Sequence, residues 1–166
     1  MPATRTNGER IVGVGAMCVS NTGERLVAHA LGSCLGVAVF DPVARVGGLL
    51  HVPLPASTDD RERSRGRPLE YVDTGVPALF RDCYRLGASK ARLRVAVAGG
   101  ASAGDATADG FQIGKRNLIM LRKLLWKNGI LIHAHDVGGT RVWRTLSLDL
   151  ATGRVWLRTP DREGEL

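Results

Sequence analysis

Apolar positions along the chain follow two spacings. Alternating or continuous apolar runs bounded by turn residues lie at 11–20, 25–31, 35–40, 46–52, 92–98, 130–136, 141–149 and 154–159, and each predicts a β-strand. Helical spacing governs two other stretches. Positions 69, 72, 76, 79, 80, 83 and 86 are apolar, and Gly87 follows as a stop. Positions 113, 118, 121, 124 and 125 are apolar, and Gly129 follows. Pro77 in the first of these predicts a kink, or a helix start near Asp73 with proline in the first turn. Short turns join most neighbouring strands, without regular strand–helix alternation. The pattern predicts an α+β fold of largely antiparallel sheets with helices packed on one side.

The runs at 35–40 and 46–52 are joined by Asp41-Pro42-Val43-Ala44-Arg45, whose first two residues favour a turn. This predicts an antiparallel hairpin. A hairpin centred on the Pro42–Val43 bond pairs residues whose numbers sum to 85, so Cys34 faces His51. Opposed side chains on one face have Cβ atoms about 4.5–5.5 Å apart. A shift of one in that sum sends the two side chains to opposite faces, whereas a shift of two leaves them as diagonal neighbours. A thiol beside an imidazole suits nucleophilic catalysis: imidazolium lowers the thiol pKa, and the ring then returns a proton to a leaving group. Gly32 and Ser33 precede the thiol, where backbone N–H groups can form an oxyanion hole and a glycine admits the substrate. The competing reading of Cys34 is a buried space-filling residue.

Composition narrows the possibilities. The 166 residues suit a single domain at 11–159, with a flexible N-terminus at 1–10 and a polar tail at 160–166. The chain carries neither an apolar run of membrane-spanning length nor a signal-peptide core, so a cytoplasmic protein without membrane insertion is expected. Cysteines at 18, 34 and 83 are odd in number and widely spread, as suits a reducing compartment with one working thiol. The net charge of +7 favours acidic partners, and part of it sits at 61–67 (RERSRGR), expected to be a loop. Aromatics make up 5% and are not interleaved with the basic residues, so nucleic-acid binding is not expected. The glycine-rich stretch 99–110 matches no phosphate-binding fingerprint and is expected to be a mobile loop near the site. His133 and His135 share a strand face but lack a third ligand nearby, so no metal is expected; His29 reads as a surface residue. Without a heptad seam the default is a monomer.

Leu31-Gly32-Ser33-Cys34 followed by an apolar strand, Asp41-Pro42, Gly47-Gly48 and His51-x-x-Leu54-Pro55 resembles the CheD family of chemoreceptor glutamine deamidases. Further blocks follow in the family's order. They are Tyr71-Val72-Asp73, Gly99-Gly100-Ala101, Ile113-Gly114-Lys115-Arg116-Asn117, Asp136-Val137-Gly138-Gly139, Arg144 and Thr152-Gly153-Arg154-Val155. The resemblance implies a layered α/β/β sandwich. It implies a cofactor-free cysteine hydrolase that converts glutamines of methyl-accepting chemotaxis receptors to glutamate through a thioester. Cys34 would be the nucleophile and His51 the base and acid. The family's third catalytic position is a threonine six residues before the cysteine, and here it is Ala28. That leaves the Ala28 main-chain carbonyl, or Ser57 or Thr58, to orient the imidazole. The alternative implied by the same resemblance is a catalytically weak module that binds a CheC-type phosphatase.

Overall fold

The computed structural model describes residues 4–105 and 110–166. Its strands are β1 (Thr4–Thr6), β2 (Glu9–Ile11), β3 (Ala16–Ser20), β4 (Arg25–Leu31), β5 (Leu35–Asp41), β6 (Val46–Val52), β7 (Arg94–Gly99), β8 (Ala134–Val137), β9 (Arg144–Asp149), β10 (Val155–Arg158) and β11 (Glu163–Glu165). Its α-helices are α1 (Arg61–Arg65), α2 (Val72–Arg85) and α3 (Ile113–Lys127). The strands form two sheets, ordered β1-β2-β4-β9-β10-β11 and β3-β6-β5-β7-β8. Among the described residues, only the β2/β4 and β7/β8 strand neighbours run parallel.

Every residue of β5 and β6 is buried, because both faces of these central strands are covered. Leu35, Val37, Val39, Leu50 and Val52 pack with Val76 and Leu79 of α2 and Leu121 and Leu125 of α3. On the other face Ala38, Phe40 and Leu49 pack against Leu26, Leu31, Leu146 and Leu148 of the larger sheet. The result is three layers, helices on sheet on sheet: the helices lie on one side as the hydrophobic pattern predicts, and the layering is the one the family resemblance implies. Arg144 on β9 crosses between the sheets. Its Nε donates to Asp136 on β8 at 2.8 Å and its Nη1 to the Gly99 carbonyl at 3.4 Å.

Several elements differ from expectation for identifiable reasons. The run at 11–20 is divided between the two sheets. Gly15, at φ +72°, turns the chain there and its N–H donates to the His51 carbonyl at 2.8 Å. Pro77 lies inside α2 rather than in its first turn, since burial of Val76, Leu79 and Phe80 holds the helix through the missing bond. The basic run at 61–67 contains helix α1 rather than only a loop, capped by the Asp60 carboxylate on the Arg63 N–H at 3.1 Å. Residues 130–133 stay outside β8. The N–H of His133 donates to the Val95 carbonyl at 2.8 Å, and its ring Nδ1 accepts from the Val95 N–H at 3.1 Å, so this histidine serves the backbone.

The hairpin register is the consequential correction. β5 and β6 pair as Asp41↔Val46 and Gly36↔His51, a sum of 87 rather than 85. Asp41 is the cause. Its Oδ1 accepts from the N–H groups of Val43 and Ala44 at 2.9 and 3.0 Å, and its carbonyl accepts from Arg45 at 2.8 Å. This Asx turn, completed by Arg45 at φ +56°, closes the loop on Asp41 and Val46.

Candidate active site

Cys34 ends the turn of Gly32, Ser33 and Cys34 between β4 and β5, and His51 lies near the end of β6. With Gly36 opposite His51, continuing the register past the start of β5 puts Cys34 at the imidazole's diagonal position on the same face. Both side chains face the gap between the two sheets. Gly36 puts no side chain directly across from the ring; a Cβ there would lie 2.8 Å from Leu31 Cδ1.

His51 is 2% exposed and its Nδ1 lies 3.2 Å from the Val12 carbonyl oxygen. Carbonyls only accept, so Nδ1 carries the proton and Nε2 carries the lone pair. Nε2 is buried and has no hydrogen-bond partner among the described residues. Burial pushes the imidazole below its usual value despite the Val12 carbonyl, and nearby His29 adds to the lowering. The ring is therefore neutral at neutral pH.

Burial likewise pushes the Cys34 thiol up, against a smaller opposite pull from its own backbone N–H. This corrects the expectation of a depressed thiol pKa: the resting pair is neutral thiol and neutral imidazole. It matches a general-base arrangement, in which the ring takes the proton as the sulfur attacks.

Main-chain bonds fix the turn before Cys34. The Gly32 carbonyl accepts from the Ala101 N–H at 2.9 Å and the Cys34 carbonyl from the Gly100 N–H at 3.0 Å. The Ser33 carbonyl accepts from Nδ2 of Asn117 at 3.0 Å. The Gly32 N–H donates to the Ala30 carbonyl at 3.0 Å, whereas those of Ser33 and Cys34 donate to no residue among those described. Gly99 must be glycine, since at φ +113° a Cβ would come 2.0 Å from the Cys34 carbonyl oxygen. The start of the 99–110 stretch is thus a fixed support of the site rather than a mobile loop, while residues 106–109 lie outside the described residues. Gly32, Ser33, Ala101, Ile113, Val142 and Trp143 line an adjoining open groove of about 360 Å³. Trp143 is 59% exposed above it.

The family model for CheD chemotactic sensory transduction matches residues 53–159. A "Probable chemoreceptor glutamine deamidase CheD 1" from Syntrophus aciditrophicus is 46% identical over 153 residues, covering 92% of this chain and 94% of that protein. The chain belongs to the CheD family. A CheD relative from Solibacter usitatus, also called a probable chemoreceptor glutamine deamidase, is 46% identical over 157 residues, covering 94% of this chain and 92% of that protein. One from Pyrococcus abyssi is 43% identical and covers 89% of each chain. The matched family region begins at residue 53, so Cys34 and His51 lie before it and within the spans of the relatives.

Seen against the CheD resemblance, the structure brings Cys34, His51, Gly32 and Ser33 together. Ala28 is fully buried opposite Leu146 on β9, and its carbonyl is not the acceptor of the imidazole proton; Val12 takes that role. Ser57 is engaged elsewhere, its Oγ donating to Asp73 at 2.7 Å, and Thr58 is exposed. His29 is exposed with Nδ1 3.4 Å from the Thr145 hydroxyl. Among the described residues no cluster of three metal-ligating side chains occurs. Two participants escaped the sequence. Val12 contributes a carbonyl, which every residue has. Asn117 had a signal: it is a polar residue in the buried phase of an amphipathic helix.

Proposed function

We propose that this protein is a cysteine-dependent protein-glutamine deamidase acting on chemoreceptors. The observation that carries the proposal is the buried, unpartnered Nε2 of His51 on the face shared with Cys34. The names of the CheD relatives support the substrate.

The Cys34 sulfur attacks the carbonyl carbon of a glutamine side chain as its proton passes to Nε2. The amide oxygen becomes an oxyanion, which the N–H groups of Ser33 and Cys34 receive. The imidazolium gives its proton to the amide nitrogen, the C–N bond breaks and ammonia leaves, with Cys34 held as a thioester. Water then attacks the thioester, its proton going to Nε2. Collapse releases glutamate and returns the proton to the sulfur. The Val12 carbonyl holds the ring throughout and steadies its charged form. Each turnover replaces a neutral side chain by an anionic one, the chemical basis for altering a receptor. We place the reaction in the cytoplasm, with a monomer as the working unit and a CheC-type phosphatase as a binding partner.

The test is mass spectrometry of a purified chemoreceptor cytoplasmic fragment after incubation with the protein, with Cys34→Ala and His51→Ala beside it. Replacement of NH2 by OH at defined glutamines, seen with the intact protein and absent with both variants, is expected. Equal conversion by Cys34→Ala overturns the proposal.

A further inference from the structure

Asn117 is fully buried, and neither local structure nor core packing accounts for it. It occupies a core-facing position of α3 beside Leu118 and Leu121. Its Nδ2 donates to the carbonyls of Ser33 and Pro53, both at 3.0 Å. These carbonyls flank the reacting pair, one just before Cys34 and one just beyond His51. Both amide hydrogens are used, while Oδ1 has no hydrogen-bond partner among the described residues. A buried orphan acceptor is unfavourable, so what this side chain contributes lies in what its two donors hold.

What they hold follows from peptide geometry. The Ser33 carbonyl and the Cys34 N–H belong to one trans peptide unit, in which the C=O and N–H point in opposite directions. Drawing that carbonyl toward α3 turns the Cys34 N–H away from α3. This N–H donates to no carbonyl among the described residues, and its pull on the thiol only partly opposes the upward push of burial. The preceding unit is treated alike: the Ala101 N–H holds the Gly32 carbonyl at 2.9 Å, and the Ser33 N–H finds no acceptor among the described residues. Among the described residues, Asn117 alone contributes a side chain to the contacts that fix these two units.

We propose that Asn117 is a positioning residue for the reaction: its carboxamide orients the Ser33–Cys34 peptide so that the Cys34 N–H faces the oxyanion, and ties that peptide to the strand bearing His51. This rests on the deamidase reading above. Asn117 touches neither substrate nor reacting atoms.

The experiment compares wild type with Asn117→Asp and Asn117→Ser. Aspartate keeps the shape and loses the donors; serine removes the reach. Ammonia release from a chemoreceptor cytoplasmic fragment gives kcat and KM, and alkylation by iodoacetamide gives Cys34 reactivity over a pH series. Alkylation builds no oxyanion. A kcat lower by about 10–100-fold with KM and alkylation each within about threefold is expected, since loss of a whole oxyanion donor costs about 10²–10³. A folded variant with kcat within about threefold of wild type overturns the assignment, as does alkylation that falls in parallel with kcat. An inactive wild type removes the deamidase reading and this assignment with it; active wild type with equally active variants removes only the assignment. Should both variants fail to fold, hydrogen exchange on the wild-type protein decides. The Asn117 carboxamide protons are expected to exchange far more slowly than those of exposed Asn128, and equal rates overturn the proposal.

Discussion

The His51 ring donates from Nδ1 to the main-chain carbonyl of Val12 at 3.2 Å, and this one bond decides which nitrogen is left to do chemistry. It also predicts a pH profile. Burial holds the imidazole below 6.5 and the Cys34 thiol above 9.0, so both groups are neutral between these limits. kcat/KM for deamidation is expected to lose its acid side below pH 6.5 and to keep a plateau through neutral pH. Titration of Cys34 by alkylation rate is expected to reach its midpoint above 9.0. A midpoint near neutrality would show a preformed thiolate–imidazolium pair instead.

The same depression has a stability consequence of definite sign. Unfolded His51 binds a proton at higher pH than folded His51. As pH falls below 6.5 the unfolded state takes up more protons, and stability drops until the folded pKa is passed. His51→Gln is expected to flatten this part of the curve of thermal midpoint against pH, a comparison calorimetry makes directly.

The three thiols are predicted to differ in kind. Cys34 is only partly buried, whereas Cys18 is 5% exposed and Cys83 is fully buried with its pKa pushed up to about 12. Native-state alkylation followed by peptide mapping is expected to mark Cys34 first, and the other two only under unfolding conditions. Cys83→Ser is expected to cost about 1–3 kcal/mol by burying a hydroxyl, with the activity of the folded fraction unchanged.

Two glycines make a matched pair for mutation. Gly99 and Gly87 both sit at positive φ, at +113° and +103°. A Cβ on Gly99 strikes the Cys34 carbonyl at 2.0 Å, while one on Gly87 meets nothing within 4 Å. Gly87→Ala is expected to cost about 1–2 kcal/mol for the backbone alone and to leave kcat unchanged. Gly99→Ala is expected to cost about 3 kcal/mol or more and to abolish activity in whatever fraction folds. Urea unfolding with activity measured on the same samples separates the two effects.

Asp41 is fully buried under the hairpin loop. Burial pushes its carboxyl up, but the Arg92 guanidinium and the N–H groups of Ala44, Ser89 and Val43 more than reverse this and hold it far below the usual carboxylate range. Its stabilisation is complete above the unfolded carboxylate value and is lost as pH falls toward the folded one. Asp41→Asn is expected to cost about 2–4 kcal/mol at neutral pH and less in acid, read from urea midpoints along a pH series.

That aspartate also marks where sequence reading stops. The segments 35–40 and 46–52 were legible because β-favouring residues run unbroken between turn signals, and α2 and α3 because apolar residues recur at helical spacing. The pairing of Cys34 with His51 on one face was legible too. Their offset was not, because it depends on how the Asp41 side chain bonds across its own loop and moves the closing pair outward. The division of 11–20 between two sheets is equally a tertiary matter, settled at Gly15 by the bond to His51. The sequence also cannot reveal Val12 as the imidazole's acceptor, since a carbonyl leaves no trace in residue identity.

The main-chain supports of the turn before Cys34 have a genetic corollary. Val12, Gly100 and Ala101 hold the ring and the turn through backbone atoms, so the groups they present to the site do not depend on side-chain identity, and the fully buried Val12 side chain answers to core packing alone. The target at which a single missense change silences chemistry without lowering protein abundance is correspondingly small. A loss-of-function screen sorted by expression level should find its well-expressed inactive alleles concentrated at Cys34, His51 and Asn117, with most others recovered as alleles of low abundance.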